Sequence, residues 1–125
     1  MITREDLTMS AVISFNLQAS VRKGCIEDFR TLMHEMVAST QAEPGTQSYE
    51  WFLNEDGTAC HIYERYNDSN AVMAHMGNFA KFAGRFLACV EPTAFCVYGY
   101  PSTEVRAALK GFNAVYLNTF GGFSR

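Results

Sequence analysis

The chain has 125 residues, of which 48% are hydrophobic and 14% aromatic, and its net charge at neutral pH is −3. This length and composition predict a globular domain with a substantial core and exclude a disordered chain. The small net charge is spread without long runs, which argues against nucleic acid or an anionic membrane as the main partner.

The first two predicted elements are a strand and an amphipathic helix. Residues 11–18 alternate between apolar and polar side chains, a pattern typical of a half-buried strand. From about residue 24 to residue 42, apolar side chains recur every three or four positions, which predicts a helix. Pro44-Gly45 then marks the end of this helix and a turn.

A β-hairpin is predicted next. Its strands cover about residues 47–54 and 59–66, and they flank Glu55-Asp56-Gly57, in which the Asp-Gly pair is the turn signal. Asp68 or Ser69 follows the second strand and is suited to cap the N-terminus of a new helix.

The second helical stretch carries a row of aromatic side chains. His75, Phe79, Phe82 and Phe86 follow one another at steps of four, three and four, so they share one face if the helix is continuous. Gly77-Asn78 is the point at which this helix could break in two.

The first hundred residues therefore have the order β-α-β-β-α-β. Glu91-Pro92 ends the second helical stretch, and residues 94–100 form a fourth strand that is apolar on both faces. This order predicts an α+β, ferredoxin-like fold, in which both helices cover one face of an antiparallel sheet. Residues 1–100 would form this unit, and residues 101–125 would add a short helix and a further strand or tail to the same domain.

A homodimer is predicted from the composition of the sheet. Two helices can cover only one face of a four-stranded sheet, yet the second and fourth strands carry apolar residues on both faces. A large exposed apolar face is unusual for a monomer. We therefore expect a second copy to pack sheet against sheet, and the tail over residues 114–123 could add to that interface by pairing with a strand edge.

Several short motifs occur in a fixed order along the chain. They are Glu43-Pro44-Gly45, Tyr49, Tyr63-Glu64-Arg65-Tyr66 and Ala74-His75. Together they resemble the antibiotic biosynthesis monooxygenase (ABM) domain of the dimeric α/β-barrel superfamily, over about residues 11–100.

The resemblance implies an activity as well as a fold. Family members include cofactor-independent monooxygenases that oxidise polycyclic phenols or quinols with molecular oxygen, whereas other relatives bind haem or have no known reaction. Many relatives carry a second His where Asn78-Phe79 stands here, and the minimal domain lacks the extension after Tyr100.

His75, Tyr63 and Asn16 are the candidate catalytic residues. The imidazole of His75 titrates near neutral pH and could take a proton from a phenolic substrate, although a helical His hydrogen-bonded within a Phe-rich core is the alternative. The Tyr63 hydroxyl and the Asn16 amide could donate hydrogen bonds to a developing anion. A position in the core or dimer interface for Tyr63, and a solvated or interface position for Asn16, remain alternatives.

The candidate substrate-binding residues are mostly aromatic. Tyr49 and Trp51 share one face of the second strand and could present flat surfaces to an aromatic ligand, or could simply be core or interface. Arg65 could anchor an anionic substrate. Glu64 and Arg65 point to opposite faces of the strand, however, and a structural role is expected for both, each as a possible ion-pair partner across the dimer. The full candidate set is Trp51, Tyr49, Arg65, Phe79 and Phe82.

No motif for a metal or a nucleotide cofactor is present. The sequence His34-Glu35 lacks the second His of a zinc-binding helix, because Ala38 stands there, and the four cysteines lack ligand spacing. An enzyme of this sequence would therefore work without a nucleotide or flavin, and the resemblance implies a cofactor-independent oxygenase that acts on a small aromatic phenol, quinol or anthrone. A non-catalytic dimeric ligand-binding protein and a haem-binding or haem-degrading relative are the alternatives.

The expected location is the cytoplasm. No apolar run is long enough to span a bilayer, and residues 1–10 lack the basic-then-apolar order of a signal peptide. In that reducing environment the cysteines are expected to be free thiols.

Overall fold

The computed structural model describes residues 10–125. The prediction that residues 1–10 do not form a signal peptide concerns residues that lie, except for residue 10, outside this part of the chain. Nine elements follow in order: β1 (Ile13–Val21), α1 (Ile26–Gln41), β2 (Thr46–Leu53), β3 (Ala59–Tyr66), α2 (Ser69–Phe79), α3 (Ala83–Cys89), β4 (Val90–Tyr98), α4 (Thr103–Ala108) and β5 (Val115–Leu117). None of the helices between residues 10 and 125 has both the length and the hydrophobicity that a bilayer-spanning helix needs.

The strands form one mixed sheet in the order β2-β3-β1-β4-β5. The first four strands pair antiparallel, and β5 adds to β4 in parallel. The helices lie on one face of this sheet, so the predicted ferredoxin-like fold is confirmed. Side chains that face the helices in β1 include Phe15, which pairs with Glu64 on β3 and with Val97 on β4.

The second helical stretch breaks later than the sequence suggested. Gly77 lies within α2, and the chain turns between Phe79 and Ala83 instead. The amide of Phe82 donates to the carbonyl of Phe79 at 2.8 Å, which closes the turn that separates α2 from α3. A single glycine costs a helix only about 1 kcal/mol, which packing of the helix can offset.

The start of β4 also differs from the prediction. The strand begins at Val90 and runs through Pro92, which was expected to end the preceding helix. The register of β4 against β1 shifts between Gln18 and Ala19, so Pro92 lies beside an irregularity of the ladder. A bulge is one of the few places in a sheet that tolerates the missing amide of proline.

The core lies between the helices and the sheet. Ile13, Phe15, Tyr66 and Val97 are fully or almost fully buried there. The extension contributes to this core, because Val105 of α4 and the following Leu109 are also buried and belong to the same cluster. The side chain of Ser102 accepts a hydrogen bond from the amide of Val105, as expected of an N-cap.

The opposite face of the sheet carries several apolar side chains that no described residue covers. Phe52, Tyr98, Val115 and Leu117 are all exposed by more than a third. By the strand register they lie on the same face as Asn16, His61, Tyr63, Arg65 and Cys96.

Candidate functional site

A cavity of about 460 Å³ lies between the sheet and the helices. This volume is within the range of small-molecule sites, which are mostly apolar with a few placed polar groups. Its lining is mostly apolar. The polar exceptions are a group formed by Tyr49, Glu64 and His75, and Lys110 and Asn113 in the C-terminal extension. Its apolar lining includes Phe15, Leu17, Met36, Ile62, Met76, Phe79, Phe86 and Phe95.

His75 is placed in this cavity by helix α2. The helix begins at Asp68, whose side chain accepts a hydrogen bond of 2.8 Å from the amide of Ala71, so the predicted N-cap is confirmed. His75 lies two turns further on and is only 4% exposed. Its ring packs between the rings of Tyr49 and Tyr66, each with its centroid 5.3 Å away.

Glu43 binds one side of the imidazole. The Nδ1 atom of His75 lies 3.0 Å from Oε1 and 3.2 Å from Oε2 of this carboxylate. The hydroxyl of Thr46 donates to Oε1 of Glu43 at 2.8 Å, and the side-chain amide of Asn78 donates to Oε2 at 2.9 Å. Each oxygen of this buried carboxylate therefore has a hydrogen-bond donor in addition to His75.

The turn after Glu43 explains how the carboxylate reaches α2. A side chain built at Gly45 would place its Cβ 2.5 Å from the Cβ of Ala71, which is closer than real Cβ contacts. Only glycine therefore lets the turn lie against the helix. The Glu43-Pro44-Gly45 motif thus has a direct structural reason for its glycine and its acidic residue.

Glu64 lies on the other side of the imidazole. Its Oε1 atom is 3.3 Å from Nε2 of His75 and also accepts a hydrogen bond from the hydroxyl of Tyr66. Glu64 is 6% exposed and lines the cavity. Among the described residues, both of these contacts use Oε1, which leaves Oε2 free to accept a proton from a bound ligand.

The two carboxylates favour the charged form of His75. Burial by itself lowers the pKa of the imidazole, but the hydrogen bond to Glu64 and the negative charges of Glu64 and Glu43 outweigh it, so the pKa is raised. In that form both ring nitrogens donate, one to each carboxylate. The three side chains therefore form one buried row, in which the imidazole lies between two carboxyl groups.

The neighbouring tyrosines remain neutral phenols. Burial raises the pKa of Tyr49, and the negative charge of Glu64 raises it further. The same two causes raise the pKa of Tyr66 well above its usual value. Neither phenol is therefore suited to act as a base near neutral pH, whereas both are suited to donate a hydrogen bond.

The structure brings only part of the predicted site together. His75, Tyr49 and Phe79 line the cavity. Trp51 packs behind it, with its ring 5.8 Å from Tyr49 and 6.1 Å from Phe86, and its buried indole Nε1 has no hydrogen-bond partner among the described residues. Phe82 packs against the core just before α3 and does not line the cavity.

Asn16, Tyr63 and Arg65 lie on the opposite face of the sheet from His75. Asn16 pairs with Tyr63 across β1 and β3, while their sequence neighbours Phe15 and Glu64 face the helices. Arg65 hydrogen-bonds the side chain of Gln47 at 2.8 Å. Successive strand residues point to opposite faces, so within one chain these three do not share the cavity with His75.

Sequence reasoning missed Glu43 as a site residue and gave Glu64 a structural role only. A signal for Glu64 was present, because it alternates with Ile62 and Tyr66 and therefore shares their buried face. A carboxylate on a buried apolar face needs a partner, and His75 supplies it. No comparable local signal pointed from Glu43 to a residue 32 positions further along the chain.

A metal ion or a haem iron would need suitable ligands among the described residues. Across residues 10–125, no group of three His, Cys, Asp or Glu side chains is arranged to hold a metal ion, and all four cysteines are free thiols. His75 does not fit the role of a haem ligand, because both of its ring nitrogens contact carboxylates.

Most of the chain matches a known protein family in sequence. Residues 13–92 match the family described as Antibiotic biosynthesis monooxygenase. No curated protein is significantly similar to the chain in sequence.

Solved structures show the same fold at low sequence identity. MupZ from Pseudomonas fluorescens is 21% identical, with a TM-score of 0.85 over 94% of this chain and 91% of that chain. SnoaB from Streptomyces nogalater, a cofactor-independent oxygenase, is 14% identical, with a TM-score of 0.63 over 74% of this chain and 96% of that chain. Rv0793 from Mycobacterium tuberculosis is 22% identical, with a TM-score of 0.64 over 73% and 96%.

Proposed function

Because the chain belongs to the antibiotic biosynthesis monooxygenase family, we propose that it is a cofactor-independent monooxygenase acting on a small aromatic phenol, quinol or anthrone. The observation that carries this proposal is the row formed by Glu43, His75 and Glu64, because His75 and Glu64 line a mostly apolar cavity. Such a cavity suits a flat apolar ligand with one ionisable hydroxyl.

The first step is removal of a proton from the substrate. Because the neighbouring carboxylates raise the pKa of His75, we assign the role of the base that faces the ligand to the carboxylate of Glu64, whose Oε2 atom makes no hydrogen bond to a described residue. His75 offsets the charge of Glu64, and Glu43 holds the imidazole in place. The neutral hydroxyl of Tyr49, which also lines the cavity, is available to donate a hydrogen bond to the resulting anion.

The substrate anion then supplies the electrons for oxygen. One electron passes to O₂, and the superoxide and substrate radical combine at carbon to give a peroxide anion. The protonated Glu64 returns its proton to form the hydroperoxide, which then loses water to leave a carbonyl. For an anthrone, the CH₂ group becomes C=O, one oxygen atom enters the product and the other leaves as water. The four electrons that reduce O₂ all come from the substrate, so no added cofactor is required.

The apolar lining supports this chemistry by excluding water. Phe15, Phe79, Phe86 and Phe95 surround the space beside the carboxylate. A dry cavity strengthens the interaction between the substrate anion and the hydrogen-bond donors, and it protects reactive oxygen intermediates from side reactions.

Dimerisation through the open sheet face completes the proposal. The exposed side chains of Phe52, Tyr98, Val115 and Leu117 give this face an apolar character that a second copy would bury. Asn16 and Tyr63 would then be interface residues, with an effect on the cavity only through the sheet. A cytoplasmic location remains part of the proposal.

Oxygen uptake by the purified, metal-free protein tests the function. A panel of hydroquinones, naphthols and anthrones is measured against the autoxidation rate of each compound. We expect catalysed uptake without added cofactor, and loss of that uptake in Glu64→Gln. Saturable ligand binding without uptake would instead identify a binding protein that shares the fold of the oxygenases.

A further inference from the structure

The exposed part of the cavity lies where the C-terminal extension meets the family domain. The catalytic end is closed, since His75 and Glu64 are buried. The exposed lining residues instead form two groups: Leu87 and Pro92 near the start of β4, and residues 110–113 after α4. These two groups define the mouth of the cavity.

The loop over residues 110–113 is held in a defined position. Leu109, which precedes it, is only 1% exposed, and its amide donates to the carbonyl of Val105 at 2.9 Å. Gly111 has a φ of 95° and Asn113 has a φ of 55°, which allows the loop to turn back toward β5. The amide of Phe112 donates to the carbonyl of Leu109 at 3.1 Å.

Phe112 connects this loop to the wall of the cavity. Its ring centroid lies 6.2 Å from that of Phe95, a buried residue of β4 that also lines the cavity. Phe112 nevertheless stays 43% exposed, and Leu87 on the other side of the mouth is 48% exposed. Two large apolar side chains left in water at the mouth of an apolar cavity are placed to contact a ligand that fills it.

The loop lies outside the part of the chain that matches the family. That match ends at residue 92. The similarity to SnoaB and Rv0793 covers 74% and 73% of this chain, close to the share taken up by β1 to β4, whereas the similarity to MupZ covers 94%. The loop is therefore a feature by which this chain differs from the minimal family domain.

We propose that Phe112 is a specificity-determining residue, which together with Leu87 forms an apolar lip that selects fused-ring phenols over single-ring phenols. The hydroxyl of the ligand lies toward Glu64, and its outer ring contacts the lip. Only the orientation of the ligand rests on the proposed function. Binding to the lip can be measured without turnover.

Binding of a graded ligand series tests the lip directly. Phenol, 2-naphthol and 2-hydroxyanthracene are titrated under argon, and the fluorescence of Trp51, the single tryptophan, reports binding after correction for absorption by each ligand. Trp51 contacts Tyr49 and Phe86, both of which line the cavity. For the wild type we expect the dissociation constant to fall with each added ring.

Phe112→Ala should remove most of this preference. We expect binding of the three-ring phenol to weaken by about tenfold and binding of phenol to change little, because only the longer ligand reaches the lip. Phe120→Ala is the matched control, since Phe120 is fully exposed in the same extension and does not line the cavity. Thermal unfolding checks that each variant is folded, and Phe112→Leu replaces Phe112→Ala if the latter is not.

The outcomes separate the lip from the oxygenase chemistry. An unchanged ring preference in the folded Phe112 variant, no ring preference in the wild type, or no binding of any of the three phenols would overturn the proposal. Ring-dependent binding that is lost in Phe112→Ala, without oxygen uptake, would support the lip and reject the monooxygenase activity.

Discussion

The Nδ1 atom of His75 lies 3.0 Å from Oε1 of Glu43, and this contact joins helix α2 to the turn between α1 and β2. On its other side the Nε2 atom of the same ring lies 3.3 Å from Oε1 of Glu64, so the imidazole separates two buried carboxyl groups. All three side chains are buried, so loss of His75 would leave two carboxyl groups without a partner, whereas loss of either glutamate would still leave one pair.

His75→Gln should destabilise the fold strongly. Without the imidazolium, Glu43 and Glu64 remain as two buried carboxylates, and loss of one partner from a buried ion pair costs about 3–5 kcal/mol. Urea unfolding measures the free energy of unfolding. His34→Gln is the control, because His34 is an exposed residue of α1 and its replacement should cost less than about 0.5 kcal/mol.

A double substitution separates charge from packing. Adding Glu43→Gln to His75→Gln removes one of the two uncompensated carboxylates, so the double variant should be more stable than the sum of the single effects predicts. Strict additivity, or a cost of His75→Gln no greater than that of His34→Gln, would contradict a charged row.

The raised pKa of His75 predicts how stability depends on pH. A group with a raised pKa in the folded state contributes its full stabilisation below the unfolded value of about 6.5, and loses it as the pH rises through the folded value. The free energy of unfolding should therefore decrease as the pH is raised from about 6.5 into the alkaline range. Burial opposes the shift, whereas Glu64 and Glu43 produce it.

Glu43→Gln provides the comparison for this pH effect. It removes one of the two negative charges but keeps a side chain of similar size, so the decrease in stability with rising pH should be smaller than in the wild type. An NMR titration of the His75 ring in both proteins measures the pKa directly. An equal or higher pKa in Glu43→Gln would show that the Glu43 charge does not act on His75.

Much of the fold could be predicted from the sequence, because its signals are local. Alternation placed Phe15 and Asn16 on opposite faces of β1, and Asp68 marked the start of α2. The break after α2 and the start of β4 differ from the prediction, because Gly77 was expected as a possible break in the helix and Pro92 as its end. Packing accommodates Gly77 within α2, and a register shift accommodates Pro92 within β4.

The site was less predictable because its contacts are distant in sequence. His75 was selected by residue type, but its partner Glu43 reaches it only through the close approach of Gly45 to Ala71. Tyr63 and Asn16 were correctly placed on strands, and their polar groups suited an oxyanion. A residue of these strands can reach the cavity only if it lies on the face that α2 covers. That face carries Glu64, whereas Tyr63 and Asn16 lie on the other.

Glu64→Gln should abolish most of the proposed activity without unfolding the protein. The amide keeps an oxygen that can accept from Tyr66, but it cannot take a proton from the substrate. We expect turnover to fall by about 10²–10⁴-fold, the usual contribution of a positioned base. Oxygen uptake at saturating substrate measures turnover, and a rate within a few-fold of the wild type would exclude Glu64 as the base.

Tyr49→Phe should have a different signature. Burial and the charge of Glu64 raise the pKa of Tyr49, so it acts as a neutral donor and not as a titrating base. Turnover should decrease by about tenfold, the effect of one lost hydrogen bond to a charged group, while the pH dependence of kcat keeps its shape. Tyr63→Phe, on the other face of the sheet, is the control and should leave kcat unchanged. A shift in the acidic limb of the pH dependence of kcat in Tyr49→Phe would instead show that Tyr49 is part of the titrating group.

Cys96→Arg should convert the proposed dimer into a monomer. Cys96 is half-buried on the open face of β4, where it pairs with Asn16 of the central strand β1. Two copies packed through this face would bury an unpaired guanidinium from each chain, and this should weaken association by at least about 100-fold. Sedimentation equilibrium measures the dimer constant, with Thr31→Arg on the exposed side of α1 as the control for added charge. A wild type that is monomeric at all concentrations, or a Cys96→Arg variant that dimerises as well as Thr31→Arg, would show that this face does not form the interface.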